Sequence, residues 1–183
     1  MGLSVTVIYV VVGPPAAGKS TTSKALCDRF AKSVHIPVDD LRDMVCSGRV
    51  LPSPEWSTEV THQLALARAT AGDMARRYRD AGFTIVIDDF VDPSHLQEYR
   101  CLDDADGVRK VVLHPTQDEA QRRNRARGGD AVDMGYIEAG IRHVYGLISA
   151  GRRELEDTGW QFLDTTTWSV DDTVAAIARS SEP

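Results

Sequence analysis

The stretch GPPAAGKS, residues 13 to 20, stands between the apolar run VTVIYVVV (residues 5 to 12) and the helical pattern SKALCDRFA (residues 23 to 31). Gly13, Gly18, Lys19 and Ser20 fit G-x-x-x-x-G-K-[ST], and strand before and helix after are the context in which that spacing cradles phosphate. Glycine serves there because backbone N–H groups must wrap phosphate oxygens with no Cβ in the way. The start of the helix adds free donors and partial positive charge. Lys19 is expected to reach the β- and γ-phosphates and the Ser20 hydroxyl to ligand Mg²⁺. Ala16, Ala17 and Thr21 belong to the same loop and first turn and count among the nucleotide contacts. A bare Gly/Pro turn would not call for Lys-Ser at its end with both flanks in place, so the expected ligand is a nucleoside triphosphate, ATP with Mg²⁺.

Working outward, four more apolar stretches follow: SVHIPV (33–38), FTIVID (83–88), VRKVVLH (108–114) and WQFLDT (160–165). Their hydrophobicity is continuous rather than alternating, which implies strands buried on both faces of a parallel sheet covered by helices. Val60, Leu64, Ala67, Ala71, Met74 and Tyr78 recur at helical spacing and predict a long helix after Trp56. SVDDTVAAIARS (169–180) reads as an amphipathic last helix. With 183 residues and no internal repeat, residues 1–183 are expected to form a single α/β domain.

Bulk composition narrows the class. The sequence shows no basic-then-apolar leader and no apolar run of membrane length, so a soluble cytoplasmic protein with no membrane partner is expected. Cys27, Cys46 and Cys101 suit neither a disulfide framework nor a metal site. The formal net charge of −6 speaks against a general nucleic-acid binder. Residues 109–153 nevertheless hold nine Lys/Arg against five Asp/Glu, including the run RRNRAR (122–127), which points to one local anionic partner. The five histidines show no metal spacing, and His35 and His114 read as structural strand-end residues.

Two acidic clusters close strands. Ligands of open parallel sheets lie beyond the carboxyl ends of the strands, so VDDLRDM (38–44) should face the phosphate loop. Asp39 and Arg42, spaced i, i+3, fall on one helix face. That pair suits phosphoryl transfer, the carboxylate accepting a hydroxyl proton and the arginine holding the acceptor or a transferred oxygen. It also suits a helix cap followed by a surface ion pair. IVIDDF (85–90) places Asp88 and Asp89 directly after an apolar run, the pattern of a Walker-B carboxylate that holds Mg²⁺ or its water shell. The two side chains should project to opposite sides. The arginines before GGD fit a lid that neutralises the transferring group and excludes water.

Taken in order, GPPAAGKST, VDDLRDM, IVIDDFVDPS and RRNRARGGDAV resemble the small P-loop kinases of the adenylate-kinase-like class, closest to the kinase domain of polynucleotide 5′-hydroxyl kinases and to related antibiotic, sugar and zeta-toxin-like phosphotransferases. The resemblance implies a three-layer fold with a five-stranded parallel sheet in the order 2-3-1-4-5 and a small arginine-bearing lid at about 123–134. It implies Asp39 as general base, Arg42 on the acceptor side, Arg127 as the lid arginine, Arg123 at the nucleotide and Asp89 at the metal. It also implies that Asp164 to Thr167 pass near the adenine. The function implied is ATP-dependent transfer of the γ-phosphate to a hydroxyl of a small molecule. A kinase acting on a nucleic-acid 5′ end is the alternative, and a nucleotide-binding ATPase switch with no acceptor is a further one.

Overall fold

Strand β1 (Ile8–Val12) is buried at every position, so both of its faces must be covered. The computed structural model, which describes residues 6–51, 57–90, 99, 102, 107–129 and 131–179, covers them with helices. Along the chain follow α1 (Lys19–Cys27), β2 (Ser33–Pro37), α2 (Val38–Asp43), α3 (Thr58–Asp80), β3 (Thr84–Asp88), β4 (Val108–Leu113), α4 (Gln117–Arg127), α5 (Ala131–Asp157), β5 (Trp160–Leu163) and α6 (Val170–Arg179). The strands pair in parallel in the order β2-β3-β1-β4-β5, the order implied by the sequence. Trp56, His95 and Cys101 lie outside the described residues.

Alternation along the strands sorts side chains into two cores. Ile8, Val10, Val12, Ile85, Ile87 and Val112 face Ala67, Ala71, Val144 and Ile148 of α3 and α5. Tyr9, Val11, Val86, Val111 and Leu163 face Leu26 of α1 and Val174 and Ile177 of α6. The sheet therefore has an α1/α6 face and an α3/α5 face, each excluding water from β-branched side chains that suit a pleated surface.

One expectation changes in detail. Tyr78 does not join the buried stripe of α3 but is 38% exposed, set edge-on to Phe83. The RRNRAR run forms the C-terminal half of α4, and α5 begins almost at once after it. Arginine is a good helix former and is favoured at a helix C-terminus, where its charge complements the exposed carbonyls.

The turn out of β1 is set by space. A Cβ at Gly13 would lie 2.5 Å from the Leu113 carbonyl oxygen at the end of β4. Backbone, not a flexible side chain, blocks it. Gly13→Ala should therefore lower the stability to urea unfolding by about 1–3 kcal/mol, the usual range for overpacking, whereas an unchanged midpoint would show that the loop yields without cost.

Candidate active site

The loop of residues 13–18 closes on itself through Ala17 N–H, which donates to the Pro14 carbonyl at 3.2 Å. Ala16 (φ 62°) and Gly18 (φ 91°) take left-handed backbone, which turns successive N–H groups toward one concavity. Alanine pays for that conformation with roughly 1–2 kcal/mol, glycine with little. Lys19 Nζ donates to the Pro14 carbonyl at 3.1 Å. Burial pushes its pKa down, and Arg127 adds to that; the charges of Asp88, Asp39 and Asp89 oppose it. Those four residues thus share one electrostatic neighbourhood with the lysine.

Strand alternation divides the tandem carboxylates. Asp88 follows Val86 by two residues and shares its α1/α6 face; Asp89 follows Ile87 by two and turns to the α3/α5 face. Asp88 is 4% exposed. Burial opposes its ionisation, yet hydrogen bonds from His35 and Ser20 and the charge of Lys19 hold its carboxyl below the usual range. Asp89 is spent inside the protein: Oδ2 accepts from Arg68 Nε at 2.6 Å and from Tyr99 Oη at 3.0 Å, and Oδ1 from Phe90 N–H at 2.8 Å. Burial raises its pKa, against the pull of Arg68.

Across the crevice, α2 brings Asp39 and Arg42 together, Nη1 donating to Oδ1 at 3.2 Å. The Arg42 side chain is 8% exposed and that of Asp39 68%, so the guanidinium forms a floor and the carboxylate remains open. Arg42 Nη2 also points to the Val50 carbonyl at 3.5 Å. That loop is clamped by Gln63 of α3, whose amide accepts from Val50 N–H at 3.0 Å and donates to the Gly48 carbonyl at 2.8 Å. Tyr136 of α5 completes this side. Partial burial raises its pKa, with Asp39 adding to the shift and Arg42 opposing it.

On α4 the arginines have different surroundings. Arg123 donates to Glu119 through Nε at 2.7 Å, to the Ala17 carbonyl through Nη1 at 3.3 Å and to the Thr165 carbonyl through Nη2 at 2.8 Å. It thereby ties the phosphate loop to the β5–α6 connection. Arg122 pairs with the same Glu119, and the two arginines hold the glutamate down to a pKa of about 2. Arg125 pairs with Glu138 of α5 at 3.3 Å. Arg127 is exposed and takes no hydrogen bond or ion pair among the described residues, while its charge is felt at Lys19.

The structure thus gathers Gly13, Ala16, Ala17, Gly18, Lys19, Ser20, Asp88, Asp39, Arg42, Arg123 and Arg127 around one crevice; Thr21 is exposed on the first turn of α1. Asp89 is the candidate that faces away. Ser20 and Asp88 offer hard oxygen donors beside the phosphate loop, which fits Mg²⁺ bound largely through substrate phosphates. Sequence reasoning missed His35, Arg68, Gln63, Glu119 and Tyr136. Arg68 carried a signal, since it lies four residues after Leu64 and therefore on the apolar face of α3. His114 is half-buried, with its ring against those of Tyr145 and Phe162.

Sheet order, phosphate loop and strand-end carboxylates define the P-loop kinase fold. The chain belongs to a family of P-loop proteins described as AAA domain, whose model matches residues 8–145. Among solved structures it is similar to the tunicamycin resistance protein of Deinococcus radiodurans (19% identity, 96% of this chain and 95% of that one, TM-score 0.63). It is also similar to shikimate kinase from Bacteroides thetaiotaomicron (13% identity, 95% and 97%, TM-score 0.60). A curated relative, guanylate kinase from Sphingopyxis alaskensis, is 27% identical over 149 residues, 70% of this chain. The match spans 64% of that relative's length.

The divided carboxylates can be told apart by stability alone. Arg68→Leu leaves Asp89 buried without its counter-charge and should cost about 3–5 kcal/mol in urea unfolding. Asp88→Asn keeps an acceptor of the same shape and should cost far less. Equal losses would mean that both aspartates are structural.

Proposed function

We propose that this chain is an ATP-dependent kinase that transfers the γ-phosphoryl group to a hydroxyl of a small molecule. The carrying observation is Asp39: a 68% exposed carboxylate, held on one oxygen by a buried arginine, within electrostatic reach of the phosphate-loop lysine. A nucleotide switch would have no use for an open carboxylate on that side. In this reading the loop amides and Lys19 hold the β- and γ-phosphates, and Arg123 steadies the nucleotide end of the crevice. Ser20 and Asp88 would hold Mg²⁺, which would neutralise phosphate charge. Asp89 serves through Arg68 rather than at the metal.

Asp39 takes the proton of the acceptor hydroxyl as that oxygen bonds to the γ-phosphorus and the bond to the β–γ bridging oxygen breaks, leaving ADP. Arg42 fixes the carboxylate rotamer, and Arg127 is free to meet charge on the transferring group. The acidic balance of the chain favours a small acceptor over a nucleic-acid 5′ end. A panel of hydroxyl compounds and 5′-OH oligonucleotides incubated with γ-labelled ATP tests the reading; label found only in inorganic phosphate would sink it.

Lys19→Ala should abolish transfer, a loss on the order of 3 kcal/mol or more in the transition state, with melting of the ligand-free protein nearly unchanged. Asp39→Asn should lower transfer to the identified acceptor by about 10²–10⁴-fold while ATP binding and slow background hydrolysis survive. Full transfer by that variant would place the base elsewhere. Arg127→Ala should depress kcat by on the order of 10³ with a smaller effect on ATP affinity. Lysine should rescue poorly, because a point charge does not reproduce a planar fork.

A further inference from the structure

His35 stands on β2 in register with Val86 and so shares the sheet face to which Asp88 points. Tyr9 and Val86, its neighbours on that row, are buried in the apolar core. A polar ring there needs a partner, and Nε2 finds one in Asp88 Oδ2 at 3.3 Å. The contact is largely sealed from water, with side-chain exposures of 14% and 5%. A carboxylate can only accept, so the ring nitrogen that faces it carries the proton. Ser20 adds to the stabilisation of the ionised carboxylate. Without the His35 donor the carboxylate would be free to turn about its last torsion; the bond from β2 restricts its plane.

We infer that His35 is a positioning residue that holds Asp88 in the orientation in which it meets the Mg²⁺–ATP complex, an inference that rests on the kinase reading. His35 touches neither nucleotide nor acceptor in this assignment. It acts through one hydrogen bond, and the effect of its loss should appear in metal affinity before it appears in nucleotide affinity. Partners one step removed from a metal commonly change affinity by this route.

The test compares His35→Leu, which removes the donor, with His35→Gln, whose amide N–H can replace it. Mn²⁺ binding in the presence of ATP is followed by electron paramagnetic resonance, ATP binding in excess chelator by calorimetry, and folding by thermal melting. His35→Leu should weaken Mn²⁺ binding about tenfold, with His35→Gln within about threefold of the unsubstituted protein; metal-free ATP affinity should not move in either. Unchanged Mn²⁺ affinity in His35→Leu overturns the inference, as does an equal loss of metal-free ATP affinity, which would mark a merely structural histidine. If the leucine variant does not fold, His35→Asn, polar but too short to reach Asp88, should show the same tenfold loss, and normal Mn²⁺ affinity in it overturns the inference equally. A starting protein that binds no ATP with or without Mn²⁺ defeats the kinase reading as well. Tight Mn²⁺–ATP binding that is the same in every variant defeats this inference alone.

Discussion

Two adjacent carboxylates at the end of β3 are sent to opposite sides of the sheet, and the site is built around that division. Asp88 takes the His35 hydrogen bond and lies in the field of Lys19; Asp89 enters the core and needs a counter-charge there. Arg68 supplies it from α3, which fixes the rotation of that helix about its axis. The same helix presents Gln63 to the loop at Gly48 and Val50, and Val50 meets Arg42, which holds Asp39. A buried ion pair thereby reaches the open carboxylate through one rigid helix and one clamped loop. Its value lies in orientation more than in net stability, since desolvating both charges offsets much of their attraction.

Charge in the crevice is also apportioned. Lys19 lies within reach of Asp88, Asp39 and Asp89, and burial alone would depress its ionisation. The surrounding carboxylates oppose that depression. Of the neighbouring cations, Arg42 is occupied by Asp39 and Arg68 by Asp89. The positive field left for a polyphosphate comes from Lys19, Arg127 and the loop amides. A site built this way draws an anion into one place on a chain whose net charge is negative.

The fold was legible in the sequence because its signals were redundant: five β-branched runs and a glycine loop with strand before and helix after admit few other arrangements. The C-terminal ends of the strands came out within two residues, whereas β1 begins three residues later than the apolar run. Side-chain facing was harder. Asp88 and Asp89 could be assigned to opposite faces from strand geometry, but both rows of β3 are apolar, so nothing in the sequence said which row faces α1. Tyr136 and Gln63 were invisible for another reason, since neither carries a local motif, and His35 could be read only as a strand-end residue because its partner lies 53 residues away. Arg68 was legible in principle, as a charge on an apolar helix face, and it is the residue whose neglect left the roles of the two aspartates open.

The arginine run shows how a charge cluster resolves once the helix is known. Arg123 and Arg127 are four residues apart and share a face of α4, the face turned to the phosphate loop; Arg122 and Arg125 lie off it and pair with Glu119 and Glu138. Arg123 spends its donors on Glu119 and on backbone carbonyls at Ala17 and Thr165, so it braces the loop before any ligand arrives. Gly128 and Gly129, both in the positive-φ region, then end the helix directly behind Arg127. Three of the four arginines are thus occupied in holding α4 against its neighbours and its own first turn. That bracing fixes where the fourth stands, at the helix end, beside the loop, with its guanidinium unspent among the described residues.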